Sequence, residues 1–272
     1  MKGCIFGNSH SAALLKAWRE HEGAWPGLSL DFFVRSGVGV QGHRLDGPVI
    51  RAEDPDFRDM LEKLGLHHEI DLSGYDFLAV VGSEISPFKS VAILRDNQIF
   101  GWRTNDLARP VISEKVLRAA LADSLRAANG ARLLAQLRAV FQADKPIYVL
   151  TQPFPAAKHI DSPKLATFRR QIRQGDATRF ARLYNEVAAT VVEELGGLYL
   201  PQPQETVFKW VLTREKFTMG APRLTNLRLK QAQDDILHAN ADYGQVVLND
   251  LAGRLGLAAA SVPVRDTPRT PE

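Results

Sequence analysis

The sequence predicts an α/β fold built on a parallel sheet covered on both faces, and three observations carry that prediction. Short apolar runs alternate with helical patterns along the chain, so consecutive strands are joined by crossover helices. The first run, "CIF", breaks at Gly7 into small and polar residues and resumes as "AALLKAW" with helical spacing, as a strand-turn-helix unit does. Farther on, Phe180, Leu183, Val187, Val191 and Leu195 recur with helical period until Gly196-Gly197 ends the pattern.

In chain order, Lys2 to Phe6 is the first strand, and Ser11 to Glu22 is a helix with Ala13, Leu14, Ala17 and Trp18 on one face. The second strand is "LSLDFFVRSG", followed by a short helix "DFRDMLEKLG" and a third strand "YDFLAVVG". One long or two broken helices, "SEKVLRAALADSLRAANGARLLAQLRAVFQ", lead to a fourth strand "KPIYVLTQP". The periodic helix "DATRFARLYNEVAATVVEELGG" then precedes a fifth strand, "LYLPQP", and a last helix runs from about Tyr243 to Leu255. "VRSGVGVQGHR" has no helix start directly after its glycines and reads as a flexible turn. Residues 83–110 and 201–233 follow neither period and are expected to be irregular covers. Residues 1–256 form a single domain on this reading, and the polar, proline-bearing stretch 257–272 is expected to be disordered.

At 272 residues, the chain buries a full core, and its hydrophobic content of 45% and charged content of 24% are those of an ordinary globular domain. A net charge of +3 does not call for a nucleic-acid partner. The single cysteine, Cys4, excludes an internal disulfide and a cysteine-based zinc site. The first strand begins almost at Met1, and no apolar stretch approaches the roughly 18 residues that span a bilayer. The expectation is a cytoplasmic protein with no membrane partner.

In a parallel sheet, reactive groups gather at the carboxyl ends of the strands, here Gly7 to Ser9, Ser36 to Gly39 and Gly82 to Glu84. Ser9 stands at a helix N-terminus. There a serine either caps unpaired backbone donors or lies where amide N–H groups and the helix dipole favour an oxyanion beside its hydroxyl. The chemical role needs a base. Of the seven histidines, His21, His43, His67, His68 and His159 sit in polar or exposed surroundings, and His10 adjoins Ser9 in a turn, placed to line a pocket. His238 follows Asp235 by three residues, a spacing that sets the carboxylate against Nδ1 and leaves Nε2 facing outward.

These residues together resemble the SGNH (GDSL-type) hydrolases: Gly-x-Ser at Gly7 to Ser9, a glycine after the second strand, Gly82 closing the third, and Asp235-x-x-His238 before the last helix. The resemblance runs from Gly7 to about Leu255. It implies a three-layer α/β/α flavodoxin-like fold with a parallel five-stranded sheet, and ester cleavage or acyl transfer through a serine nucleophile. By position, Ser9 would be the nucleophile, His238 the base and Asp235 its orienting acid. Gly37 would be the backbone oxyanion donor, with Gly39 and Gly82 as rivals, and Asn8, His10 and Glu84 would line the pocket. No metal or cofactor is implied, and the partner expected is a small-molecule or carbohydrate ester.

Two positions depart from the family pattern. Asn8 replaces an aspartate, and an amide still holds a turn by hydrogen bonds. Glu84 stands where an oxyanion-hole asparagine is expected, and an ionised carboxylate cannot donate. Asn97, Asn105, Asn226 and Asn240 are the candidate substitutes. The Glu84 position also motivates the alternative of a non-catalytic or substrate-binding member of the same fold. A nucleotide-dependent enzyme is the weakest reading, because neither Gly-x-Gly-x-x-Gly nor a Walker motif is present.

Overall fold

The computed structural model describes residues 1–37, 39–103 and 108–258. Strand β1 (Lys2–Gly7) passes through helix α1 (Ser11–Glu20) to β2 (Ser29–Val34). There follow β3 (His43–Asp46), β4 (Val49–Ala52), α2 (Pro55–Lys63), β5 (Glu69–Asp71) and β6 (Phe77–Val81). Short elements α3 (Pro87–Ser90), α4 (Ala92–Asp96), β7 (Gln98–Ile99) and β8 (Val111–Ile112) precede the helices α5 (Glu114–Arg126) and α6 (Asn129–Val140). Then come β9 (Ile147–Leu150), α7 (Ala166–Gln174), α8 (Ala177–Glu194) and β10 (Leu198–Leu200). Two small ribbons, β11 (Val207–Phe208) with β12 (Leu212–Thr213) and β13 (Pro222–Arg223) with β14 (Asn226–Lys230), lead to α9 (Ala241–Arg254).

The central sheet has five strands in the order β10-β9-β6-β1-β2, and every pairing is parallel. All residues of β6 and β9, and all of β1 except Lys2, are buried, because helices cover both faces. The path from β1 to β2 runs one way along the sheet, whereas β6 to β9 to β10 runs the other. Right-handed crossovers therefore put α1 on one face and α5, α6 and α8 on the opposite one. Accordingly α9 packs on α1, α5 on α8, and α6 against β6 and β9. This is a three-layer α/β/α fold, and its connections reverse between β1 and β6, where a crevice opens at the carboxyl edge.

Differences from the sequence reading lie in the connections. Residues after β2 are not all turn: β3, β4 and β5 form an antiparallel sheet of their own, with Asp46 paired to Val49 across Gly47-Pro48. The stretch 83–110 contains α3, α4 and β7, and 201–233 contains both ribbons, so neither cover is irregular throughout. The first helix ends at Glu20, with His21 as its C-cap, and the long helical stretch is two helices. Thr104 to Leu107 and residues 259–272, most of the expected tail, lie outside the described residues; Leu257 packs against the core.

Gly244, in the first turn of α9, sets how closely the two helices on the α1 face approach. A β-carbon there would lie 2.1 Å from the Ala13 carbonyl oxygen, so α9 rests directly on the backbone of α1. The elements that follow Ser9 and His238 are thereby pressed together.

Candidate active site

Ser9 ends the turn between β1 and α1. Its hydroxyl is not a helix cap: His10 is the N-cap residue of α1 and makes no side-chain capping bond. The Ser9 Oγ instead meets His238 Nε2 at 2.9 Å, across 229 residues of sequence. On the other side of the ring, His238 Nδ1 lies 2.9 Å from Asp235 Oδ1, and the His238 backbone N–H donates to Asp235 Oδ2 at 3.0 Å. One carboxylate therefore holds both the ring and the main chain of the histidine. With Nδ1–H donated to Asp235, Nε2 carries the lone pair that accepts the Ser9 O–H hydrogen bond.

Partial burial works to raise the Asp235 carboxyl, but the His238 ring hydrogen bond and charge and the backbone donors of His238 and Leu237 outweigh it. The group is held below its ordinary range and stays ionised beside the imidazole. Asn8, 5% exposed, accepts from the His10 N–H through Oδ1 at 3.2 Å, so the amide at this position does hold the turn.

The residues at the end of β6 take an unusual path. Gly82, Ser83 and Glu84 all have positive φ, at 63°, 44° and 72°. For Ser83 and Glu84 this is strained backbone, which costs on the order of 1 kcal/mol per residue and persists only where neighbours impose it. The neighbours here belong to α6: the Gly130 N–H donates to the Ser83 carbonyl at 2.7 Å and the Asn129 N–H to Glu84 Oε2 at 3.3 Å. Lys89 completes the partners of the Glu84 carboxylate. Glu84 thus caps α6 and forms an ion pair rather than standing as a failed oxyanion donor.

The glycines separate in the same way. Gly82 touches the turn, since a β-carbon on it would lie 2.7 Å from Asn8 Oδ1, but its N–H is donated to the Leu150 carbonyl at 3.0 Å. That amide is committed to the sheet. Gly37 is exposed, with nothing within 4 Å of where its side chain would be. Gly39 is buried, and a side chain there would meet Ser83 Oγ at 3.4 Å and Asn129 Cβ at 3.6 Å, so Gly39 packs between the end of β6 and the start of α6. Among the described residues, the Ser9 and Gly39 amides donate no hydrogen bond.

Two of the candidate asparagines, Asn97 and Asn240, have their side-chain N–H groups engaged. Asn97 donates to the Ile93 carbonyl, and Asn240 donates to Lys216 and Met219 while capping α9. Asn226 holds its own turn through Arg228, and Asn105 lies outside the described residues. Asn129, at the first position of α6, was hidden by its place in a helical run; the neighbouring break "AANG" was its only signal. Of the aromatic residues on the covers, Trp102 is buried under Arg179, whereas Phe208 and Trp210 are exposed at a ribbon tip.

Among the described residues, no group of three or more His, Cys, Asp or Glu side chains is arranged to hold a metal ion, and no helix is long and apolar enough to cross a membrane. Comparison with protein-family models, curated proteins and solved structures finds no match for this chain.

Proposed function

We propose that this chain is a serine hydrolase of the SGNH type that cleaves or transfers an acyl ester, with Ser9 as nucleophile, His238 as base and Asp235 as orienting acid. The observation that carries the reading is the unbroken relay from Ser9 Oγ through His238 to Asp235, with both contacts at 2.9 Å. A serine hydroxyl is a weak nucleophile until a positioned base takes its proton, and these contacts support His238 in that role.

In the proposed reaction, Ser9 Oγ attacks the ester carbonyl carbon while its proton passes to His238 Nε2. The carbonyl electron pair moves onto oxygen, and the free amides of Ser9 and Gly39 are the donors assigned to it. Collapse expels the alcohol, which takes the proton from His238 and leaves an acyl-serine. Water or a second alcohol then repeats the steps in reverse order. The substrate is a small or carbohydrate ester.

Reaction with a fluorophosphonate tests the reading. The adduct is expected on the peptide carrying Ser9, abolished by Ser9→Ala and nearly abolished by His238→Gln. A folded wild-type protein that takes no label and turns over no ester would favour the non-catalytic alternative.

A further inference from the structure

A cleft of about 560 Å³ lies between the start of the β3 arm and α6. Asn129 lines the cleft, its Cβ stands close to Gly39, and its N–H meets Glu84 two residues beyond Gly82. The cleft runs from there along α6 on the β2 side of the sheet.

Its chemistry is one-sided. The lining includes the Arg132 guanidinium, His43, and the side-chain amides of Gln41 and Gln136, against an apolar wall of Leu45 and Leu133, and it contains no carboxylate. Acidic groups on the segments around the cleft are engaged: Glu84 by Lys89 and Asn129, Asp54 by Arg35 at 2.8 Å, Glu53 by Arg44 at 3.5 Å and Asp46 by Arg51 at 3.8 Å. Among the described residues the Arg132 guanidinium makes no ion pair or hydrogen bond. His43 spans the cleft, with Nδ1 on the Val40 carbonyl and Nε2 3.2 Å from the Gln136 side chain, so the arm is tied to α6 rather than loose.

One unpaired guanidinium flanked by neutral amides matches a single carboxylate, whose two oxygens fit the planar fork. The leucine wall suits the carbon skeleton that carries it. We infer that this cleft binds a carboxylate on the substrate, through Arg132, so that the preferred esters are those of hydroxy acids such as acylated sugar acids. The inference rests on the hydrolase reading above.

The test compares 4-acetoxybenzoate with its neutral counterpart 4-acetoxybenzamide. In the wild type, kcat/KM for the acid is expected to exceed that for the amide by about fivefold, the discrimination one pair provides when its guanidinium, like that of Arg132, is exposed to solvent. Arg132→Gln should bring the ratio near one, and Arg132→Lys should leave it intermediate. A wild-type ratio of one or below, or a ratio unchanged in Arg132→Gln, overturns the inference. Calorimetry on Ser9→Ala separates the two claims, because it needs no turnover. Benzoate binding that Arg132→Gln abolishes and benzamide does not reproduce supports the cleft even if no ester is cleaved; absence of benzoate binding overturns it even if esters are.

Discussion

The rings of His10 and His238 lie face to face, with centroids 4.7 Å apart and planes 14° from parallel. Burial, followed by the charge of His238, pushes the His10 imidazole down to about 3 from its ordinary 6.5. In the window between those values the unfolded chain binds a proton that the folded chain does not, so stability rises with pH. This contribution is complete above pH 6.5 and is lost as the pH falls through the window toward 3. Between pH 6 and 5 the loss should be about 1 kcal/mol. Urea denaturation at the two pH values measures it, and His10→Phe, which keeps a stacked ring but cannot titrate, should flatten the dependence.

Asp235 fixes which nitrogen of His238 carries the proton. Asp235→Asn keeps the volume but offers an amide that can donate to Nδ1, turning the lone pair away from Ser9. Ester turnover should fall by about 10⁴-fold, with the far-ultraviolet circular dichroism unchanged. A fall below tenfold in a folded variant would remove the carboxylate from the mechanism.

Legibility in the sequence followed the range of the interactions involved. The strands of the central sheet were visible because each is an apolar run bounded by turn residues. The meeting of Ser9 with His238 could be anticipated because Asp-x-x-His is a local spacing and β1 places its turn at the carboxyl edge. The antiparallel β3–β5 sheet was missed although Asp46-Gly47 between two short β-prone stretches was its signal. The roles of Glu84 and Gly82 were not readable. Each is decided by a partner distant in sequence, Asn129 for one and Leu150 for the other.

Glu84 distinguishes the two descriptions experimentally. If it occupied the place of a missing donor, Glu84→Asn would raise turnover. As a cap of α6 and partner of Lys89, its replacement should instead cost about 1 kcal/mol of stability with no gain in turnover. Chemical denaturation and ester kinetics on the same preparation decide between them.

Gly82→Ala combines a positive φ of 63° with a contact at 2.7 Å to Asn8 Oδ1. The variant should lose about 1 to 3 kcal/mol and label more slowly at Ser9, because relief of the contact moves the turn that carries the serine. Retention of both wild-type stability and labelling rate would show that the turn yields without consequence.

The close seat of α9 on α1 also sets when, during synthesis, Ser9 can meet His238. His238 and the helix that docks beside it leave the ribosome 229 residues after Ser9, roughly 10 to 50 seconds later at ordinary elongation rates. Until then the hydroxyl has no imidazole beside it. Assembly of the Ser9–His238 contact is tied to the docking of α9, so a chain interrupted before Ala241 would lack the helix that seats against α1.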